Sequence, residues 1–320
     1  MRRTLYDEEH EDFRATVATF VEKVVADQWE RWDDEGLVDR SAWEAAGSLG
    51  IIGTSVPEEL GGGGVADFRY RMVVMEELCR VGANSFNAGL SVQDDLVMPY
   101  VVDLGSDQQR AEWLPRLCAG SAIGSLALTE PGAGSDLRGI RTTARRDGDG
   151  WILNGAKTFI TNGYLADVVV VLARLDPQTD AGGFAVFLVP ADRPGFSRGR
   201  KLDKLGLRGN DTAELFFEDL RLTDADLLGT AGRGLAHVME RLPLERLSIA
   251  ATSVAASAAA YDWARRYCFE RNAFGRPIGE FQATRFTLAE IETEVDAATA
   301  MLDRAGLLLN DGGLTPIDAA

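Results

Sequence analysis

Glu245 sits where a carboxylate is costly. It lies in the run Leu242-Pro243-Leu244-Glu245-Arg246-Leu247, after Val238 and Leu242 and before Ile249 and Thr252. Those spacings place all five residues on one stripe of a helix. A carboxylate in a mostly apolar stripe loses hydration, and its pKa rises toward that of a useful general base. The residues alone leave a second reading open: an exposed pair with Arg241, four residues earlier, worth about 0.3–0.5 kcal/mol. Pro243 is expected to disturb the helix by removing one N–H and crowding the preceding turn.

A second constellation runs from Leu126 through Leu128, Thr129, Glu130, Pro131, Gly132, Ala133, Gly134 and Ser135 to Asp136. Proline and two glycines force an irregular turn that can bring backbone N–H groups against a flat ring or a phosphate. The dinucleotide fingerprint G-x-G-x-x-G is not met, because Leu137 holds the third glycine position. On composition alone an ordinary turn is the favoured reading. Glu130 competes with Glu245 as a catalytic carboxylate, but its place inside the turn suggests a structural role.

Other chemistries are poorly supplied. His10 and His237 are the only histidines, so histidine-built metal sites and a Ser–His–Asp triad are disfavoured. Cys79, Cys118 and Cys268 lack redox or zinc spacing and read as buried thiols of a cytoplasmic protein. The net charge of −17 argues against nucleic acid. Met1 to Asp12 is polar and reads as no signal peptide. The longest apolar candidate, Ile249 to Ala260, is broken by Thr252, Ser253 and Ser257, which speaks against a membrane span.

The elements that must position these residues form three blocks. Residues 1–120 read as an N-terminal helical domain. Glu11 to Val25 is helical in period, Ser41/Glu44 and Ser106/Gln109 have capping-box spacing, Gly61–Gly64 forms a flexible loop, and a helix follows from about Asp67 to Arg80. Residues 121–230 read as strands, with the run Val168–Val171, period two at Phe184, Val186 and Leu188, and a hairpin turn at 147–150. Little helical pattern intervenes, so an antiparallel β-barrel or sandwich is expected. Residues 231–320 return to helices, from about Leu235 to Arg271 and from Phe281 to Leu309, as in an up-down helical bundle. Thr315-Pro316 opens a further helix four residues before the sequence stops, which reads as an incomplete, truncated bundle. The fold class is α+β.

The motifs together resemble one family. Thr129 to Asp136 is similar to the T-E-P-x-A-G-S-D signature of FAD-dependent acyl-CoA dehydrogenases. Lys157-Thr158-Phe159-Ile160-Thr161-Asn162 resembles the family strand K-x-[WF]-I-[TS]-N. Lys204 to Thr212 resembles K-x-G-x-R-x-S-x-T, with Asn210 in place of the usual serine. Arg271-Asn272-Ala273-Phe274-Gly275 and Gln282 resemble R-x-x-F-G … Q. Leu244-Glu245-Arg246-Leu247 resembles the members that carry the catalytic glutamate on the first long C-terminal helix, the long-chain and isovaleryl type.

The resemblance implies a cofactor, FAD, between the β domain and the bundle. Leu126, Leu128 and Thr129 would lie beside the isoalloxazine ring, with Phe159 and Thr161 on its other side and Ser135 near the ring and the acyl-CoA entrance. Arg271, Phe274 and Gln282 would reach the FAD of a neighbouring subunit in a homotetramer. Leu242 and Arg246 would contact acyl-CoA. Glu245 would remove the α proton of the thioester as a hydride leaves the β carbon for flavin N5, and electrons would pass to an electron-transfer flavoprotein. Alternatives are an acyl-carrier-protein dehydrogenase, a flavin oxidase or monooxygenase of the same fold, or a non-catalytic partner subunit.

Overall fold

A computed structural model describes residues 3–176 and 183–320. The helical first block comprises α1 (Glu8–Phe20), α2 (Trp29–Glu35), α3 (Arg40–Ser48), α4 (Phe68–Val81), α5 (Asn84–Ser91), α6 (Met98–Leu104) and α7 (Asp107–Cys118). Two single turns of π-helix, Val21–Val25 and Val92–Val97, extend α1 and join α5 to α6. Phe20, Trp32, Trp43 and Phe86 stack edge to face or tilted in the core of this block.

The Ser106/Gln109 capping box forms as expected, the hydroxyl receiving Gln109 N–H at 3.2 Å and the amide oxygen accepting from Ser106 N–H at 2.8 Å. The Ser41/Glu44 box does not. α3 begins at Arg40 with Asp39 as its N-cap, so Ser41 already lies inside the helix. Asp39 caps without a side-chain bond to the helix, because its carboxylate is taken by Arg31 and the Trp32 indole N–H. The 61–64 loop is also tied down: Gly62, Gly63 and Gly64 donate to Pro57, Gly53 and Val56 carbonyls.

The strands are β1 (Gly124–Ala127), β2 (Thr143–Asp147), β3 (Gly150–Thr161), β4 (Val168–Leu175), β5 (Phe184–Pro190), β6 (Phe196–Lys201), β7 (Thr212–Thr223) and β8 (Leu227–Leu228). They run in the order β6-β7-β3-β2-β4-β5-β8 and the sheet does not close, as in a sandwich rather than a barrel. The antiparallel expectation holds for most pairs, including the β2–β3 hairpin. It fails at one edge of β4, where β1 and β2 pair in parallel end to end, Gly124 opposite Val168 and Thr143 opposite Arg174. The valine run therefore has strands on both edges and is buried on both faces, which explains its unbroken β-branched character.

α8 (Gly234–Glu270) and α9 (Gln282–Asn310) pack on each other, joined by the ribbon of β9 (Asn272–Ala273) and β10 (Arg276–Pro277). α10 (Pro316–Ala319) follows, with the expected Thr315 cap. α8 meets the sheet at its first residue. A Cβ on Gly234 would lie 2.8 Å from the Ala185 backbone, so glycine sets how closely the helix approaches β5. No described helix is long and apolar enough to cross a membrane.

Candidate active site

α8 carries Glu245 into the interior at 8% exposure. The helix continues through Pro243 without a break, contrary to the expected disturbance. The apolar stripe is also less uniform than its spacing suggests. Val238 is buried, but Ile249 is 68% exposed, so Glu245 lies on the border between the packed and open faces of α8.

Arg241 does not claim the carboxylate. It donates to Asp103 at 2.8 Å and to the His237 carbonyl at 3.0 Å, and its guanidinium lies over the Tyr100 ring. The exposed-pair reading of Glu245 is thereby removed. The Tyr100 hydroxyl faces Glu245 from α6, yet among the described residues neither that hydroxyl nor Glu245 Oε1 completes a hydrogen bond. Burial pushes the Glu245 pKa up to about 7, against the opposing pull of Tyr100, Arg241 and Arg246. The Tyr100 phenol is raised as well, by burial and by the Glu245 charge. A carboxylate held at about 7 with a free oxygen can accept a proton at neutral pH.

The turn after β1 is fixed from below. Glu130 is buried and accepts from Arg141 N–H at 2.6 Å, Thr142 N–H at 3.0 Å and Lys157 Nζ at 2.9 Å. Burial opposes its ionisation, but these donors outweigh burial and hold its pKa below the usual range. Lys157 also donates to the Leu128 carbonyl at 2.9 Å, and Thr158 N–H to the Thr129 carbonyl at 3.0 Å. Burial lowers Lys157 to about 8 while Glu130 draws it back up, so it keeps its proton at pH 7. Glu130 is structural, as its position suggested.

These bonds bring Leu126, Leu128 and Thr129 beside β3, where Ser125 also donates to the Thr161 carbonyl at 2.6 Å. Between Lys157 and Ile160 the β3–β7 register shifts, and at this bulge Phe159 takes a left-handed conformation, φ +58°. Its ring is 67% exposed. A phenylalanine both strained and turned outward presents an apolar face for a planar ligand. In the turn after β1, a Cβ on Gly132 or Gly134 would meet nothing within 4 Å, and neither glycine has positive φ. The chain itself does not require glycine there, so the open space suits a flat group that lies outside the chain. Ser135 is exposed at the same turn. The residues present fit FAD.

Arg271, Phe274 and Gln282 are also exposed, Phe274 at 96% with φ +54°. They sit on the α8–α9 connection. Arg271 is 26 residues beyond Glu245, about 39 Å along the helix. Leu242 is half-buried and Arg246 exposed, flanking Glu245 on the open side. Of the thiols, Cys79 and Cys118 are buried as expected, whereas Cys268 is only partly so, because it lies near the outward end of α8.

Sequence reasoning missed Tyr100, Lys157 as the partner of Glu130, and a polar set on α4 and the π-turn after α5. Arg71 donates to Asp95 at 2.7 Å and lies 3.3 Å from Asp94, all three buried. The signal was present in the sequence: Arg71 precedes the apolar run Met72–Met75, and Asp94-Asp95 interrupts another apolar stretch.

The family models described as the N-terminal, middle and C-terminal domains of acyl-CoA dehydrogenase match residues 7–121, 125–220 and 232–320. The chain belongs to the acyl-CoA dehydrogenase family. It is 42% identical to the mitochondrial long-chain specific acyl-CoA dehydrogenase of Sus scrofa, over 94% of this chain and 70% of that one. It is 38% identical to the mitochondrial short-chain specific enzyme of Rattus norvegicus, over 94% and 73%. A glutaryl-CoA dehydrogenase from Mycobacterium smegmatis, solved in complex with FADH2, superposes with a TM-score of 0.91 at 34% identity, over 98% of this chain and 79% of that one. This acyl-CoA dehydrogenase is thus a flavin-dependent oxidoreductase of acyl-CoA thioesters.

Proposed function

We propose that Glu245 is the base of the α,β-dehydrogenation that yields a trans-2-enoyl-CoA. The observation that carries this reading is a buried carboxylate with a pKa of about 7 and an uncommitted oxygen, at the border of the open face of α8. The thioester carbonyl acidifies the α carbon, and Glu245 takes that proton. Tyr100 and the Arg241–Asp103 pair wall the carboxylate on its N-terminal side. Leu242 and Arg246 flank the thioester. Leu126, Leu128, Thr129, Ser135, Phe159 and Thr161 would hold FAD, and the Lys157–Glu130 pair fixes the turn that does so. FAD supplies the acceptor for the hydride that leaves the β carbon.

Arg271, Phe274 and Gln282 are too far along α8 to serve the same site, which supports their service to a neighbouring subunit of a homotetramer. Arg271 suits a pyrophosphate oxygen. We take the acceptor to be an electron-transfer flavoprotein and the domains to span 1–120, 121–230 and 231–320. The three free cysteines support a reducing compartment, the cytoplasm in our reading. The deciding experiment is acyl-CoA oxidation with an artificial electron acceptor and added FAD. Wild type turns over, and Glu245→Gln loses 10²–10⁴-fold in kcat by the usual weight of a general base. Equal rates would remove Glu245 from the chemistry.

A further inference from the structure

Tyr100 is wholly buried, and among the described residues its hydroxyl completes no hydrogen bond. A buried phenol ordinarily finds a partner. The ring is held from one side by the Arg241 guanidinium, 5.1 Å from its centroid, and Arg241 is tied to Asp103 on the same short helix as Tyr100. The backbone beneath explains the direction. Residues 84–104 are one continuous helical run, in which the π-turn Val92–Val97 separates α5 from α6. A π-turn carries one extra residue, and each residue turns a helix by about 100°. That insertion sets which α6 side chain meets α8, and the side chain is Tyr100.

Resting on the reading of Glu245 as base, we infer that Tyr100 is the positioning residue of that base: its hydroxyl donates to the Glu245 carboxylate whenever the carboxylate is charged, and so holds it ready for the α proton. The two atoms left open, the Tyr100 hydroxyl and Glu245 Oε1, are both buried and satisfy each other. Such bonds are often long in an unliganded site and close in the complex. The bond favours the charged form. When Glu245 takes the α proton, Tyr100 keeps its own and loses its acceptor, because the group over its ring is a cation. Burial raises the Glu245 pKa to about 7, and Tyr100 is the largest influence against a further rise, ahead of Arg241 and Arg246. The other charges around this part of α8 are committed. Asp103 is taken by Arg241, while Asp94 and Asp95 of the π-turn are held by Arg71 of α4, Asp95 also accepting from Ser248 at 2.6 Å.

The test follows the pH dependence of Glu245 in three forms of the full chain: wild type, Tyr100→Phe, and a chain with fluorotyrosine, a stronger donor of nearly the same shape, in place of Tyr100. One readout is kcat/KM for acyl-CoA with FAD and an artificial acceptor. The other, free of catalysis, is the infrared carboxylic-acid band that Glu245→Gln abolishes, titrated without substrate. Tyr100→Phe keeps the ring under Arg241 and should raise both midpoints by about one pH unit. It should thereby lower kcat/KM roughly fivefold at pH 7 and come within about twofold of wild type by pH 9.5. Fluorotyrosine should move both midpoints down. Midpoints that stay put in both variants overturn the proposal, as does a Tyr100→Phe loss that is equal at every pH, since packing alone would give that. Should Tyr100→Phe fail to fold, the sign of the fluorotyrosine shift decides. An inactive Glu245→Gln keeps Glu245 as base in each of these cases, whereas an active one sinks that reading whatever Tyr100 does.

Discussion

Arg241 donates to Asp103 at 2.8 Å, four residues before Glu245 on the same helix, and so acts on the Glu245 carboxylate only through its charge, without pairing with it. Had the guanidinium turned one turn the other way, the carboxylate would be paired, acidic and a poor base. The direction of one ion pair therefore decides the chemistry of its neighbour.

The Glu245 pKa has a stability consequence of definite sign. Its folded value, about 7, lies above the ordinary 4.5, so the folded state favours the proton. That contribution is complete below pH 4.5 and is lost as pH rises through 7. Glu245→Gln should thus match wild type in stability near pH 4.5 and exceed it by up to about 3 kcal/mol at pH 8.5. Urea unfolding of the apoprotein at the two pH values measures this. The same group predicts kcat/KM rising with pH through about 7, and a flat profile there would contradict it.

Lys157 is expected to act through the turn it holds. Lys157→Met leaves Glu130 charged beside only two N–H donors and the Leu128 carbonyl without its ammonium. We expect a loss of about 3–5 kcal/mol, typical of a broken buried pair, and weaker FAD binding. The measurements are denaturant unfolding and flavin fluorescence titration. A variant as stable as wild type would show that the pair carries little.

Phe159 separates strain from packing. Its side chain is mostly exposed, so removing the ring should cost little burial, while its left-handed backbone penalises any β-carbon. Phe159→Gly should be more stable than Phe159→Ala by about 1 kcal/mol, and both should bind FAD less tightly than wild type. Thermal unfolding checks the order. An alanine variant that equals glycine would mean the bulge relaxes without the ring.

Arg71 anchors two buried carboxylates. Burial raises Asp94 to about 6, with Asp95 adding to the rise and Arg71 opposing it. Arg71→Met should cost about 3–5 kcal/mol near neutral pH. The penalty should shrink as pH falls toward 6, because Asp94 without its cation takes up its proton at a higher pH than in wild type. Unfolding at pH 5 and pH 8 tests the difference.

Much of this was legible from local pattern. The turn at 129–136 and the boundaries of α8 follow from turn chemistry and period and appear within a residue or two, whereas the segment 157–162, marked by the family resemblance, is the end of one long strand, β3 (Gly150–Thr161). Glu245 was found because a carboxylate interrupts a helical stripe. What could not be read depends on partners distant in sequence. Ser248 and Asp95 are 153 residues apart. Tyr100 meets Glu245 across two helices, and Ile249 is open because nothing among the described residues covers that side of the stripe. The parallel pairing on β4 was hidden for a related reason, since β1 and β2 reach its edge through irregular turns that carry no crossover helix. Ser41 misled because Asp39, two residues earlier, could cap as well.

α8 holds Glu245 and Arg271 on one uninterrupted rod. Inserting a single residue between them would swing the distal loop by about 100° around the axis and push it 1.5 Å outward. Two full turns, seven residues, would restore the heading to within about 20°. The separation therefore behaves as a ruler graduated in sevens, and length variation in this segment should be tolerated only at those marks.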